Sequence, residues 1–87
     1  MINFERKYTS DFEKDLKKVK SNFKLQKRLF NKIKEIIENP YHYKPLRNVL
    51  RNRRRVHIGS YVLIFEINEG EKTIIFHTFN HHDQAYE

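Results

Sequence analysis

The stretch "RRRVHIGSYVLIFEI", Arg53 to Ile67, decides the fold. Upstream of it apolar residues recur every three or four positions; here they recur every two, the period of a strand. On the first half, Arg54, Val56 and Ile58 share one face, and Arg53, Arg55 and His57 share the other. Gly59-Ser60 is a two-residue hairpin turn with glycine first, as a type II′ turn prefers. On the second half Tyr61, Leu63, Phe65 and Ile67 alternate with Val62, Ile64 and Glu66. Burying an unpaired charge costs several kcal/mol. One face of the hairpin therefore packs, and the face with Arg53, Arg55 and His57 is a surface. Arg54 falls on the packed side, so it is expected at the strand edge or paired with an acidic side chain.

Upstream, "INFERKY" places Ile2 and Phe4 at alternate positions, a short first strand. Ser10 followed by Glu13 is a capping-box pattern that opens a helix. Phe12, Leu16 and Val19 make its apolar face, among lysines. Ser21-Asn22 breaks the pattern. A second helix runs from about Phe23 to Glu38, with Leu25, Leu29, Phe30, Ile33, Ile36 and Ile37 as its stripe. It ends at Asn39-Pro40, since the residue before proline avoids the helical region. "NPYHYKPLRN" then reads as a loop. Downstream of the hairpin, Asn68 to Glu71 is a second turn, and "KTIIFHTFNH" is the last strand before the tail "HDQAYE". The order β-α-α-β-β-β predicts an α+β domain over residues 1–87: a small, mostly antiparallel sheet with two helices on one face.

The composition bounds the function. Eighty-seven residues with seven Phe and five Tyr fill one small core, and the absence of cysteine excludes disulfides and thiolate chemistry. No stretch is long enough to span a membrane, and "MINFERKYTS" lacks the apolar run of a signal peptide, so a cytoplasmic protein is expected. The net charge of +7 suits a polyanion or an acidic partner. Lysines populate the helices, whereas Arg47, Arg51, Arg53, Arg54 and Arg55 concentrate in one span with Lys44. Guanidinium matches phosphate with a planar fork. That span is the candidate RNA-binding group, with Lys44, Arg47, Arg51 and Arg53 at its centre. Tyr41 and Tyr43 are candidates for stacking on bases, or for closing the edge of the core.

Five histidines, at 42, 57, 77, 81 and 82, can carry protons near neutrality. "HTFNHH" is a poor metal site: strand residues four apart lie roughly 13 Å from each other, and adjacent ones face opposite ways. No metal and no cofactor is expected. Acid–base chemistry on RNA fits better, because cleavage through the 2′-hydroxyl needs one group to take a proton, another to give one, and cations on the phosphate. His57 beside Arg55 supplies one set. His81 or His82 supplies another, with Tyr86 nearby. If the last strand lies beside the Tyr61–Ile67 strand, both sets face one shallow cleft. His57 and His77 otherwise read as ordinary sheet-surface residues.

The helix end "IIENPYHYKPLRN", the segment "RRRVHIGSYVLIFEI" and the terminal "FNHHDQAYE", in this order and spacing, resemble the RelE/ParE superfamily of bacterial and archaeal toxins, the RelE branch most closely. The resemblance spans nearly the whole chain. It implies a RelE-like, microbial-ribonuclease-type fold and an endoribonuclease that cuts mRNA in the ribosomal A site without metal. It also implies a cognate RelB-like antitoxin, and operator DNA bound only by the toxin–antitoxin complex. Carried over by position, the family's catalytic places fall on Arg55, His57, His81, His82 and Tyr86, and its loop cation on Arg47. The arginine that usually follows the hairpin tyrosine is Val62, the terminal arginine is His82, and the glycine before the terminal pair is Asn80. Two other readings belong to the same resemblance: a ParE-type inhibitor of DNA gyrase, and a non-catalytic partner of an antitoxin and its operator.

Overall fold

Thr9, rather than Ser10, caps the first helix in the computed structural model, which describes residues 4–45 and 52–83. The Thr9 hydroxyl accepts from the Phe12 amide at 3.0 Å, so Ser10 is already the first helical residue. The elements are β1 (Glu5–Tyr8), α1 (Ser10–Lys18), α2 (Phe23–Glu38), β2 (Arg53–Ile58), β3 (Tyr61–Asn68) and β4 (Thr73–His81). A single 3₁₀ turn, Pro40–His42, sits in the stretch expected to be loop. Asn22 caps α2 through its side-chain oxygen, which accepts from the Leu25 amide. The break expected at Ser21-Asn22 is thus the start signal of the next helix.

The sheet order is β1-β4-β3-β2. β1 runs parallel to β4, and the other pairs are antiparallel. The expected α+β architecture is therefore present, with the last strand inserted between the first and the third. One face of the sheet is covered: Leu63, Phe65, Ile74 and Phe76 are fully buried together with Phe12 of α1 and Leu29, Ile33 and Ile36 of α2. The other face carries Arg53, Arg55 and His57 of β2 with Val62, Ile64 and Glu66 of β3, as the alternation predicts.

β4 breaks the period of two. Ile64 pairs with Thr78 and Phe65 with Phe76, so His77 is an extra residue. This β-bulge switches the strand's faces, which lets Phe76 and Phe79, three residues apart, both enter the core. A strict alternation would have sent one of them to the surface.

At the hairpin tip, Gly59 has φ of +60° and Ser60 does not share the positive sign, in keeping with the type II′ turn. A Cβ at Gly59 would also stand 3.1 Å from Nη1 of Arg28 on α2. The arginine can move aside, but the backbone angle cannot change without opening the turn. Gly59→Ala is expected to cost roughly 1–2 kcal/mol. It should lower the urea midpoint of unfolding with the slope unchanged.

Candidate active site on the open sheet face

Register brings the chemistry together at one end of the open face. His57 on β2 stands opposite Val62 on β3, and Val62 stands opposite Asn80 on β4. Just beyond β4, the His82 amide donates to the Ser60 carbonyl at 2.7 Å. That bond ties the end of β4 to the β2–β3 turn. The His82 ring thereby reaches across β3 to His57, with ring centroids 6.2 Å apart and planes tilted by 39°. Both imidazoles are exposed. Two such rings can serve as one proton acceptor and one proton donor on a single bound group. His82 is further placed 3.4 Å from the Asp83 carboxylate through Nδ1.

His81 goes elsewhere. Being next to His82 on the strand, it faces the opposite way and meets the Tyr61 ring edge-on, with centroids 5.6 Å apart. Tyr61 in turn stacks on Phe79. Of the two terminal histidines, only His82 therefore joins the open-face pair with His57.

Val62, at the centre of this end, is fully buried and apolar. Cations approach instead from the sides. Arg55 lies on the same strand and face as His57, two residues away. Its amide donates to the Lys44 carbonyl at 3.3 Å, which lays Lys44 alongside β2. Arg53 continues the row but is engaged: its Nε stands 3.9 Å from the Glu66 carboxylate. Glu66 also meets His77 Nε2 at 2.7 Å. This Arg53–Glu66–His77 cluster was not legible in the sequence as a unit, because the bulge at His77 sets which strand neighbours meet. Its one visible sign was a carboxylate in the otherwise apolar run of β3. Arg47, Arg51 and Tyr86 lie outside the described residues.

Arg54, expected at the strand edge or with an acidic partner, sits at the edge. Its Nη1 donates to the Tyr43 carbonyl at 2.6 Å, and its guanidinium lies 5.5 Å from the centre of the Tyr41 ring. Of the loop tyrosines, Tyr43 closes the edge of the core, whereas Tyr41 stays about half exposed. Tyr43 packs edge-on against Phe65, and burial raises its phenol pKa. Tyr41 donates its hydroxyl to Glu69 at 2.6 Å, a bond that raises its pKa. Among the described residues no three of histidine, aspartate and glutamate converge on a point that could hold a metal ion. No helix among them is long and apolar enough to cross a membrane.

The family model of the ParE toxin of type II toxin–antitoxin systems matches residues 6–86. A Methanocaldococcus jannaschii protein that bears the toxin name RelE4 is 42% identical over 86 residues, covering 97% of this chain and 92% of that one. Among solved structures, the chain is similar to E. coli YafQ, at 20% identity over 97% of this chain and 99% of that one, with a TM-score of 0.77. YafQ in the E. coli DinJ–YafQ toxin–antitoxin complex gives 0.80 at 20% identity, over 99% and 100% of the two chains. The isolated E. coli RelE toxin gives 0.80 at 13% identity, covering 95% and 88%. The helix-covered sheet, the open polar face and the near full-length match to the family model lead to one assignment: the chain belongs to the RelE/ParE superfamily of type II toxins.

Proposed function

We propose that this toxin is a ribosome-dependent endoribonuclease that cuts mRNA in the A site through the RNA's own 2′-hydroxyl. The observation that carries the proposal is the His57–His82 pair, 6.2 Å between ring centres on an exposed, basic face. His57 takes the 2′-hydroxyl proton as the 2′ oxygen attacks phosphorus. The bond from phosphorus to the 5′ oxygen breaks, and protonated His82 gives its proton to that oxygen. The products are a 2′,3′-cyclic phosphate and a 5′-hydroxyl, and no co-reactant is consumed. Arg55 and Lys44 stand beside the pair, where they hold the phosphate as charge builds on it. Arg53 adds its charge to the same face, and Arg47, Arg51 and Tyr86 keep the roles that the family resemblance implies, the arginines in binding RNA and the tyrosine in orienting it. His81, turned toward Tyr61, has no part in the proton transfers.

An open face with both imidazoles in solvent is poorly suited to hold RNA by itself. The ribosome supplies the alignment, and positioning accounts for much of the barrier in such reactions. The cognate antitoxin is an acidic or amphipathic RelB-like protein. Phe23 is 76% exposed at the start of α2 and shares a groove with Lys18 and Lys24, a surface that such a helix fits. Operator DNA is bound by the complex rather than by the toxin alone.

The test adds the purified protein to a translating extract and maps the mRNA ends. Cuts confined to the A-site codon, with cyclic-phosphate and 5′-hydroxyl ends, are the expected result. The family model that matches is that of the ParE toxin, which keeps the gyrase reading in the same experiment. Intact mRNA with undisturbed translation, together with blocked supercoiling by DNA gyrase, would overturn the nuclease assignment.

A further inference from the structure

β1 is shorter than the strand it borders. Its last residue, Tyr8, pairs with Phe76, so β4 runs on to His81 with that edge uncovered by any strand among the described residues. The bulge sharpens the problem, because the carbonyls of the successive residues Phe76 and His77 both point to the uncovered edge. Thr9, which caps α1, and Asp15 within α1 complete it. The Thr9 amide donates to the Phe76 carbonyl at 3.1 Å, and the Thr9 hydroxyl donates to the His77 carbonyl at 2.9 Å. Two residues further along β4, the Phe79 amide donates to the Asp15 carboxylate at 2.9 Å. Asp15 is only 5% exposed, the one charged residue in the core among the described residues. Its second oxygen lies 3.6 Å from the Lys18 ammonium, which stays in solvent.

A buried carboxylate is costly unless it is well bonded. A helix whose inner face needed only packing would carry a leucine there. Asp15 instead spends its acceptor on one backbone amide, three residues before His82. Among the described residues no strand fixes β4 on that side, so this bond holds the strand's end from the edge opposite to its ladder with β3 and the His82–Ser60 tie. We infer that Asp15, assisted by Thr9, is a positioning residue: it holds the end of β4 so that His82 meets His57. The role for that pair rests on the proposed nuclease reading, whereas the geometry itself does not.

The test compares Asp15→Ala with Asp15→Asn in the full chain. Three readouts are taken: exchange of the Phe79 amide, the nuclear Overhauser contact between the His57 and His82 ring protons, and mRNA cleavage in the translating extract. Asp15→Asn keeps a side-chain oxygen acceptor, and it is expected to retain the ring contact and most of the cleavage. Asp15→Ala is expected to speed exchange at Phe79 about tenfold, the loss of one hydrogen bond. It should also lose the ring contact and cleave at least tenfold more slowly, with the aromatic core signals of Phe65 and Phe76 in place. Should Asp15→Ala fail to fold, Thr9→Val removes the neighbouring bond to the same edge for about 1 kcal/mol of lost cap, and a weakened ring contact is expected there. A ring contact of full strength in the alanine or valine variant overturns the inference. So does an Asp15→Asn chain as defective as Asp15→Ala, since bonding then would not be the cause. A wild-type protein that cuts no mRNA removes the nuclease reading alone, because the ring contact is measured without it.

Discussion

Replacing His82 by alanine is expected to slow A-site cleavage by about 10²–10⁴-fold, the span that a positioned acid or base contributes. The loss should appear in the cleavage step and leave antitoxin binding intact, because His82 is exposed on the open face and tied through its amide to the Ser60 carbonyl. His57→Ala should lose a similar factor. The double variant should lose far less than the product of the two, since an acid and a base that act in one event are not additive. His81→Ala is the control, because its ring lies against Tyr61. A large loss at His81 with none at His82 would reverse the assignment of the proton donor.

Phe76→Ala carries the largest expected cost in stability. Phe76 is fully buried on β4, with ring centroids 5.8 Å from Tyr8 of β1, 5.8 Å from Phe12 of α1 and 6.1 Å from Phe65 of β3. One side chain thus links three other elements. Its truncation leaves a cavity at their junction and should cost about 3–5 kcal/mol. That is a large share of the whole stability of a small domain. The melting temperature should fall by roughly 15–30 °C for a chain of this size. A drop of only a few degrees in calorimetry would show that the neighbouring rings collapse into the space, and that the junction is less rigid than its packing implies.

Local periodicity was enough for the hairpin and for α2. "RRRVHIGSYVLIFEI" puts Ile58, Leu63, Phe65 and Ile67 in the core as the period of two requires, with Val62 buried on the other face as the exception, and the six apolar residues of α2 lie on its buried or half-buried side. Features set by distant contacts were hidden. The N-cap falls on Thr9 because that residue also bonds the Phe76 and His77 carbonyls, far along the chain. The bulge at His77 leaves no mark in composition, yet it decides that Phe76 and Phe79 share a side. Asp15 reads as one more polar helix residue until the uncovered edge of β4 is seen. Within the site, adjacency on a strand already implied that His81 and His82 point apart. Only the tie from His82 to the hairpin turn shows which of them meets His57.

The order of strands also governs when the protein comes into being. Among the described residues the last strand in chain order lies inside the sheet, and the first has no neighbour in it until then: Thr9 waits for His77, 68 residues downstream. Contacts between such distant positions form late. Until β4 has joined the sheet, β1 has no strand to pair with and His57 faces no second imidazole. On the proposed reading, the pair of proton-carrying imidazoles is complete only once residues 73–82 have taken their place in the sheet.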